Sequence, residues 1–368
     1  MADILHVKDK KSLDAFIDFP FRLYRDDPNW VAPLRSDMKK QFSSKNPFFN
    51  HAEIAPFIAI EHGDIVGRIV AILNKRHIEF HKEDVGFFGF FESIDDFEVA
   101  KGLLDKVRQW LGDRGMAVMR GPMNFSTNEE CAFLLEGFDS PCMLMMPYNK
   151  RYYHGFMERY GLRKAKDLYA YIINIPDTLP EKAYRVASIA ERQGIKVRSL
   201  DMKNFSREMA VFKRVYNSAW EKNWGFVPMT EEEIDHMAKE LKPVIVPELA
   251  FIAEADEEPV GFMMLLPDLN QVLKRLDGRL FPFGIVKALW YSRRITDLRL
   301  LLLGIRQGFR KRGVDALLFR EGFKAVKEGG YKRVEFSWIL EDNYPVQRLA
   351  EMMDGRLYKK YRIYEADI

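Results

Sequence analysis

Cysteine is scarce: the 368 residues contain two, Cys131 and Cys142. Two thiols cannot build a disulfide scaffold or a four-ligand zinc ribbon, so a reduced, buried pair in a cytoplasmic protein is expected. Long apolar runs are missing as well. The greasiest stretches, Val85 to Phe91 and Leu300 to Ile305, are of strand length and fall short of the ~18 residues that cross a bilayer. Residues 1–9 show no basic region followed by an apolar one, and no signal peptide is expected. Nor is there an excess of one charge: Lys+Arg 57 against Asp+Glu 54 leaves +3. Surfaces that bind DNA by neutralising phosphates carry more than that, so the expected partner is a small molecule or peptide and not DNA.

Apolar and aromatic residues are abundant, at 47% and 13%, enough to bury large cores and to exclude disorder as the main state. At roughly 100–200 residues per domain, the length favours two. The sequence also repeats itself at a single offset. Asn29-Trp30 recurs as Asn223-Trp224, 194 positions on (223 − 29). Phe57, Ile58, Ala59, Val66 and Gly67 recur as Phe251, Ile252, Ala253, Val260 and Gly261 at the same offset. So do Asn149 and Gly161, as Asn343 and Gly355. Three separated clusters sharing one offset indicate an internal duplication.

The hydrophobic periodicity gives each copy the same order of elements. A helix (12–27; 205–222) precedes a hairpin, whose strands are 57–61 and 65–73 in the first copy and 249–254 and 260–266 in the second. A strand (86–92; 298–305), a helix (99–111; 316–327) and a strand (117–120; 333–338) follow. A helix opening near Asn149 or Asn343 and a closing strand (168–173; 358–365) complete the unit. Pro176 to Pro180 discourages helix and strand alike and marks the linker, which divides the chain into domains 1–175 and 181–368. The copies differ in their insertions, Gly121 to Met146 in the first and Asp268 to Ile295 in the second.

One segment adds chemistry. Arg310-Lys311-Arg312-Gly313-Val314-Asp315 stands between the strand ending at Ile305 and a helix beginning near Asp315. Together with the element order it resembles the GNAT superfamily of N-acetyltransferases, in which a strand ends in an R/Q-x-x-G-x-G/A turn that opens a long helix. Backbone N–H groups at a helix N-terminus, with the helix dipole behind them, attract a pyrophosphate, and a glycine lets the backbone come close. The resemblance implies an α/β fold of two tandem GNAT-like domains, each a mixed, mostly antiparallel sheet flanked by helices. It also implies acetyl-CoA or another acyl-CoA as cofactor, held at Ile305, Arg310, Arg312, Gly313 and Val314, with Asn343 positioning the pantetheine arm or ordering its helix start. Two positions depart from the pattern. Asp315 stands where the turn has Gly or Ala, and Ala350 stands where the family often has an acidic tyrosine. The first copy has no glycine in the matching segment, Glu92 to Val99, and carries Glu92, Asp95, Asp96 and Glu98 there; it is expected to be a degenerate copy that shapes or covers the acceptor site.

Acyl transfer to an amine needs a base for the amine and an acid for the leaving thiolate. Glu335, Glu341 and Asp342 are the candidate bases, Glu341 foremost, and Tyr358 and Tyr361 the candidate acids; helix caps and sheet aromatics are their competing roles. The polar loop after Gly121-Pro122, at the end of a central strand, is the candidate acceptor site through Asn124, Ser126, Asn128 and Glu129, with a plain solvated loop as the alternative. His77 and His81 share a helix face, but Glu79 is misplaced for a zincin motif and no metal is expected. P-loop, nucleophile-elbow and dinucleotide-binding motifs are missing.

In the second insertion, Leu273, Leu276, Leu280, Phe281, Phe283, Ile285, Leu289 and Trp290 alternate with Lys274, Arg275, Arg279, Lys287, Arg293 and Arg294. A helical cover packed on its own domain is expected there, in preference to an acyl-chain lid or a membrane contact. The sequence thus describes a cytoplasmic acyltransferase acting on a small-molecule or peptide amine. The alternatives are a Fem-like aminoacyl transferase using charged tRNA, or a non-catalytic ligand-binding protein, which Asp315 and Ala350 favour.

Overall fold

In the computed structural model, which describes residues 2–221, 223–280 and 284–368, local chemistry sets the starts of the elements. The strand β1 (Asp3–His6) leads to α1 (Lys10–Leu23), opened by a capping box in which Asp9 accepts from the Ser12 N–H at 2.8 Å. Next come α2 (Arg35–Gln41), the hairpin β2 (Ala52–Glu61) and β3 (Asp64–Asn74), α3 (Lys75–His81) and β4 (Val85–Ser93). The half ends with α4 (Phe97–Gly112), β5 (Val118–Gly121), β6 (Phe133–Glu136), α5 (Tyr153–Tyr160) and β7 (Arg163–Asn174).

The second half begins with α6 (Glu181–Arg192), β8 (Ile195–Ser199), α7 (Phe205–Trp220), α8 (Glu231–Leu241), β9 (Ala250–Ala255) and β10 (Glu258–Pro267). The insertion supplies α9 (Asn270–Leu273) and α10 (Gly284–Ser292). Then follow β11 (Asp297–Ile305), α11 (Val314–Glu328), β12 (Arg333–Leu340), α12 (Tyr344–Met352) and β13 (Arg356–Asp367). The duplication reaches down to backbone dihedrals. The first hairpin turns on His62 and Gly63 at φ 50° and 84°, the second on Asp256 and Glu257 at φ 50° and 65°, again 194 positions apart. Two successive positive φ values match the right-handed twist of paired strands, and only the first copy fills the sharper position with glycine.

The chain forms two units. The first comprises residues up to Leu168, Asn270–Trp290 and Lys359–Ile368; the second comprises Tyr169–Leu269 and Tyr291–Tyr358. The division read from the sequence differs in giving 169–175 to the first domain and 270–290 and 359–368 to the second. In the first unit the strand order is β1-β2-β3-β4-β5, with the last residues of β13 antiparallel to β5 (Tyr364 opposite Gly121) and β6 paired to β13. In the second the order is β8-β9-β10-β11-β12, with the end of β7 beside β12. Within β1–β5 and within β8–β12 neighbouring strands are antiparallel except at one pair, β4/β5 or β11/β12.

The stripe Val99, Leu103, Leu104, Val107 and Leu111 of α4 packs on Phe57, Ile69 and Ala71 of the first hairpin. The matching stripe Val314, Leu317, Leu318 and Val326 of α11 packs on Phe251, Met263 and Leu265, with Ala187 and Ala190 of α6 beside it.

Three expectations change. α5 starts at Tyr153, not near Asn149, whose buried carboxamide instead accepts from the Leu134 N–H at 2.6 Å. The helix expected over 205–222 ends at Trp220, and Lys222 lies outside the described residues. The insertion does not pack as a cover on its own domain: 270–290 belongs to the first unit, where Asn270 Nδ2 donates to the Cys142 carbonyl at 2.9 Å and the Arg35 N–H to the Gly278 carbonyl at 3.3 Å. Phe281 and Phe283 lie outside the described residues. Among the described residues no helix is long and apolar enough to cross a membrane.

Candidate active site

β11 pairs with β10 from Leu298 to Ile305, with one extra residue, Leu301, between the pairs Met264–Leu302 and Leu265–Leu300. On its other side it pairs with β12 only from Asp297 to Leu300, opposite Arg333 to Phe336. A bulge bends the strand that carries it, and here the parallel strands part at the bulge. Leu301–Ile305 and Ser337–Leu340 consequently make no ladder with each other, and Leu301, Leu302 and Leu303 are only half-buried.

The open end of β11 runs into the glycine turn. Arg310 is latched to backbone, Nε donating to the Ile305 carbonyl at 3.3 Å and Nη2 to the Ala219 carbonyl at 2.8 Å. That fixes the turn and uses two of the five donors of the guanidinium expected to meet phosphate. Lys311 and Arg312 remain exposed, Arg312 lying 5.0 Å over the Phe309 ring. No side chain caps α11, and the backbone N–H groups of Lys311 to Ala316 donate to no described residue. Four or more such donors at the positive end of a helix dipole make a site for an anion.

Gly313 has a packing part that the sequence did not reveal. It sits at φ 78°, and a Cβ there would lie 2.9 Å from both Val186 Cγ1 and the Val186 carbonyl oxygen of α6. Its smallness serves the left-handed cap and the α6 contact, whereas at Gly308 a Cβ would meet nothing within 4 Å. Val314 is buried in the core, Ile305 ends β11, and Asp315 stands half-buried in the first helical turn. A carboxylate there suits the helix dipole even though it departs from the turn pattern.

A polar cluster lies on the opposite sheet face from the α11 core, because Arg299, Glu335 and Ser337 alternate with Leu298, Leu300, Val334 and Phe336. Glu335 is fully buried. Its Oε1 accepts from Ser337 Oγ at 2.6 Å, its Oε2 accepts from the Tyr358 hydroxyl, and Arg299 Nε lies 3.9 Å away while donating to Ser337 Oγ at 2.9 Å. The Arg299 guanidinium is also 5.4 Å from the Trp338 ring, whose buried Nε1–H has no hydrogen-bond partner among the described residues. A buried donor without an acceptor costs about 1–3 kcal/mol, which a ligand carbonyl would recover.

Of the expected catalytic residues, Glu335 and Tyr358 join this cluster, whereas Glu341 and Tyr361 do not. Glu341 is half-buried beyond β12, and its carbonyl accepts from Gln347 Nε2 at 2.9 Å. Tyr361 belongs to the first unit, fully buried, with its hydroxyl 3.6 Å from Cys142 Sγ. Asn343 precedes α12 and accepts through its carbonyl from the Val346 and Gln347 N–H groups, which orders the helix start; its side chain caps nothing. Arg299, Ser337 and Trp338 were not read as site residues in the sequence, although Glu335 and Ser337, two apart within an apolar strand, were the available signal.

The first unit repeats the parting of strands and fills it. β4 and β5 pair only from Val85 to Phe87, opposite Val118 to Arg120. Beyond that the Met123 N–H donates to the Phe88 carbonyl at 2.8 Å, and Asn124 Oδ1 accepts from the Phe90 N–H at 2.8 Å. A Cβ on Gly89 would run into the Met123 carbonyl. Phe125 is fully buried and stacks on Phe48 at 5.2 Å. In the loop read as an acceptor site, Glu129 Oε2 accepts from the Phe125 N–H at 3.2 Å and Ser126 Oγ from the Asn128 N–H at 3.2 Å, while Asn124 serves β4.

Glu92 does not line an opening either. It is buried, accepting from Tyr24 and Tyr153 hydroxyls at 2.6 and 2.7 Å with Arg68 3.9 Å away, and burial pushes its carboxyl above the usual range. His77 and His81 face each other at 4.4 Å, and burial, His81 and Arg120 hold the His77 imidazole down at about 3. Among the described residues no group of three or more His, Cys, Asp or Glu could hold a metal ion.

No protein-family model matches the chain. Protein YghO of Escherichia coli is 34% identical over 365 residues, which cover 98% of this chain and 94% of that protein. The bacterial ceramide synthase of Caulobacter vibrioides is 36% identical over 370 residues, covering 98% and 96%. Among solved structures, a tandem GNAT protein from the clavulanic acid biosynthesis pathway superposes with a TM-score of 0.60 at 10% identity, over 100% of this chain and 98% of that one. A GCN5-related N-acetyltransferase from Sphaerobacter thermophilus does so with 0.53 at 14% identity, over 99% and 95%.

Proposed function

For a chain that belongs to the family of Protein YghO and the bacterial ceramide synthase, with a tandem GNAT fold, we propose the activity of an N-acyltransferase that moves an acyl group from acyl-CoA to the amine of a long-chain amino lipid. The observation that carries this reading is the contrast between the copies: the parted strands of the second unit lie in one unit with turn N–H groups that donate to no described residue, whereas those of the first are bridged by Met123 and Asn124. The acceptor class rests on the name of one relative, since a ceramide is the amide of a fatty acid with a long-chain amino alcohol. A cytoplasmic location, where acyl-CoA is available, belongs to the same reading.

Acyl-CoA supplies an activated acyl group as its thioester. The N–H groups of Lys311 to Ala316, with Lys311 and Arg312, would hold the pyrophosphate; Arg310 and Gly313 keep the turn in shape between Ile305 and Val314, and Asn343, at the start of α12, would position the pantetheine arm. Glu335 is the base in this account, because it is the buried carboxylate beside the parted strands of the second unit and already accepts from the Tyr358 hydroxyl. Tyr358 accepts the amine proton at its oxygen while passing its own to Glu335, as the C–N bond forms and the C–S bond breaks. The pair then returns the proton to the departing thiolate. Trp338 Nε1–H donates to the carbonyl oxygen as negative charge gathers on it.

The test is product mass. The full chain is incubated with palmitoyl-CoA and a long-chain amino alcohol, and the amide and the released thiol are quantified. Glu335→Gln should lower the rate by about 100-fold or more and Tyr358→Phe by a similar order. Acyl-CoA binding without amide formation from any amine in a panel, or a fully active Glu335→Gln, would refute the assignment.

A further inference from the structure

A surface helix ordinarily turns its apolar stripe inward. α10 does the reverse. Its buried or half-buried side carries Gly284, Ala288 and Tyr291, whereas Ile285, Val286, Leu289 and Trp290 are 43%, 69%, 65% and 50% exposed. At about 100° per residue those four side chains fan over about 140° of one face. Among the described residues they are four of the ten exposed large apolar side chains, gathered on one nine-residue helix. Isolated exposed apolar residues need no explanation, but a contiguous group does.

The charge around this face has one sign. Lys274, Arg275, Arg279, Lys287, Arg293 and Arg294 are all exposed, and Asp277 is the sole acid between Asn270 and Arg294. The rest of the chain carries more acidic than basic residues, so the small net positive charge of the protein resides in this segment. The segment is also anchored: Val272 and Leu276 are buried, and the Gly278 carbonyl accepts from the Arg35 N–H.

We infer that α10 is a membrane-docking helix, which lays Ile285, Val286, Leu289 and Trp290 into the headgroup boundary of an anionic bilayer while the six flanking cations meet lipid phosphates. An apolar face with a tryptophan, rimmed by lysine and arginine, is the chemistry of an interfacial helix. The charge complementarity selects an anionic lipid surface over a second copy of the chain, which would bring like charges together. The inference stands on this surface alone and does not require acyl transfer, although a lipid acceptor would be met at such a surface.

The experiment is flotation of the full chain with vesicles of phosphatidylcholine alone, or with about one quarter phosphatidylglycerol, at about 0.1 M salt. The wild type should float with the anionic vesicles and about tenfold or more less with the neutral ones. Val286→Glu with Leu289→Glu should reduce binding about tenfold or more, and so should joint reversal of Lys287, Arg293 and Arg294 to glutamate. Because these side chains face solvent, the variants should melt with the wild type and acylate a short-chain, water-soluble amine at the wild-type rate; absence of that activity in the wild type would instead count against the acyl-transfer reading and leave the docking inference standing. Wild type remaining in the aqueous fraction, variants floating like wild type, or a wild-type dimer that Leu289→Glu dissociates would overturn the inference.

Discussion

Changing Gly313 to alanine separates the scaffolding of the glycine turn from its ligand chemistry. The residue lies at φ 78°, and left-handed backbone costs an L-residue about 1–2 kcal/mol. Its new methyl would come within 2.9 Å of the Val186 side chain and carbonyl, an overpacking that costs about 1–3 kcal/mol more. Gly313→Ala should therefore destabilise the second unit by about 2–5 kcal/mol before any ligand is considered. Gly308→Asp is the complement. A Cβ there meets nothing within 4 Å, so stability should stay within about 0.5 kcal/mol, while a carboxylate in an anion-binding turn should weaken acyl-CoA binding about tenfold or more. Urea unfolding and titration calorimetry on both variants supply the numbers. A Gly313→Ala protein as stable as wild type, or a Gly308→Asp protein with unaltered affinity, would refute the reasoning.

Trp338→Phe removes an N–H that has no partner among the described residues while keeping a ring beside Arg299, so thermal stability should hardly change and the acylation rate should fall about tenfold or more. His77 makes the fold acid-sensitive. Its imidazole titrates at about 3 in the native state against 6.5 ordinarily, so below pH 6.5 the unfolded chain takes up a proton that the folded one refuses. Stability should be level above that pH and fall by about 1.4 kcal/mol per pH unit below it, about 2 kcal/mol by pH 5, and urea titrations of His77→Leu should lack this slope. Glu92→Leu leaves the Arg68 charge buried without its carboxylate and should cost about 3 kcal/mol or more in the same measurement, whereas a cost below 1 kcal/mol would contradict the buried-pair account.

Much of this was legible in the sequence because it is local. The apolar residues of α4 and α11 recur every three or four positions, and the offset of 194 that links Asn29-Trp30 to Asn223-Trp224 also links the turns at His62-Gly63 and Asp256-Glu257. What escaped was tertiary. Gly313 looks like a phosphate-loop glycine until Val186 is seen against it. The loop Asn124 to Glu130 is polar enough to read as solvated, yet Phe125 is its anchor and its amide and carboxylate groups satisfy nearby backbone. Tyr358 and Tyr361 stand three residues apart and end in different units, since the chain passes from one to the other after Tyr358. Glu335 passed as one candidate among several because only strand pairing shows Arg299 opposite it.

The account rests on one cleft being open and its copy closed. Amide hydrogen exchange of the full chain, with and without saturating palmitoyl-CoA, tests that directly. The account predicts slowed exchange at Leu301–Ile305, Lys311–Ala316 and Ser337–Leu340, with Phe88–Ser93 and Met123–Glu130 unchanged. Protection confined to the first-unit segments, or none anywhere at saturation, would contradict it.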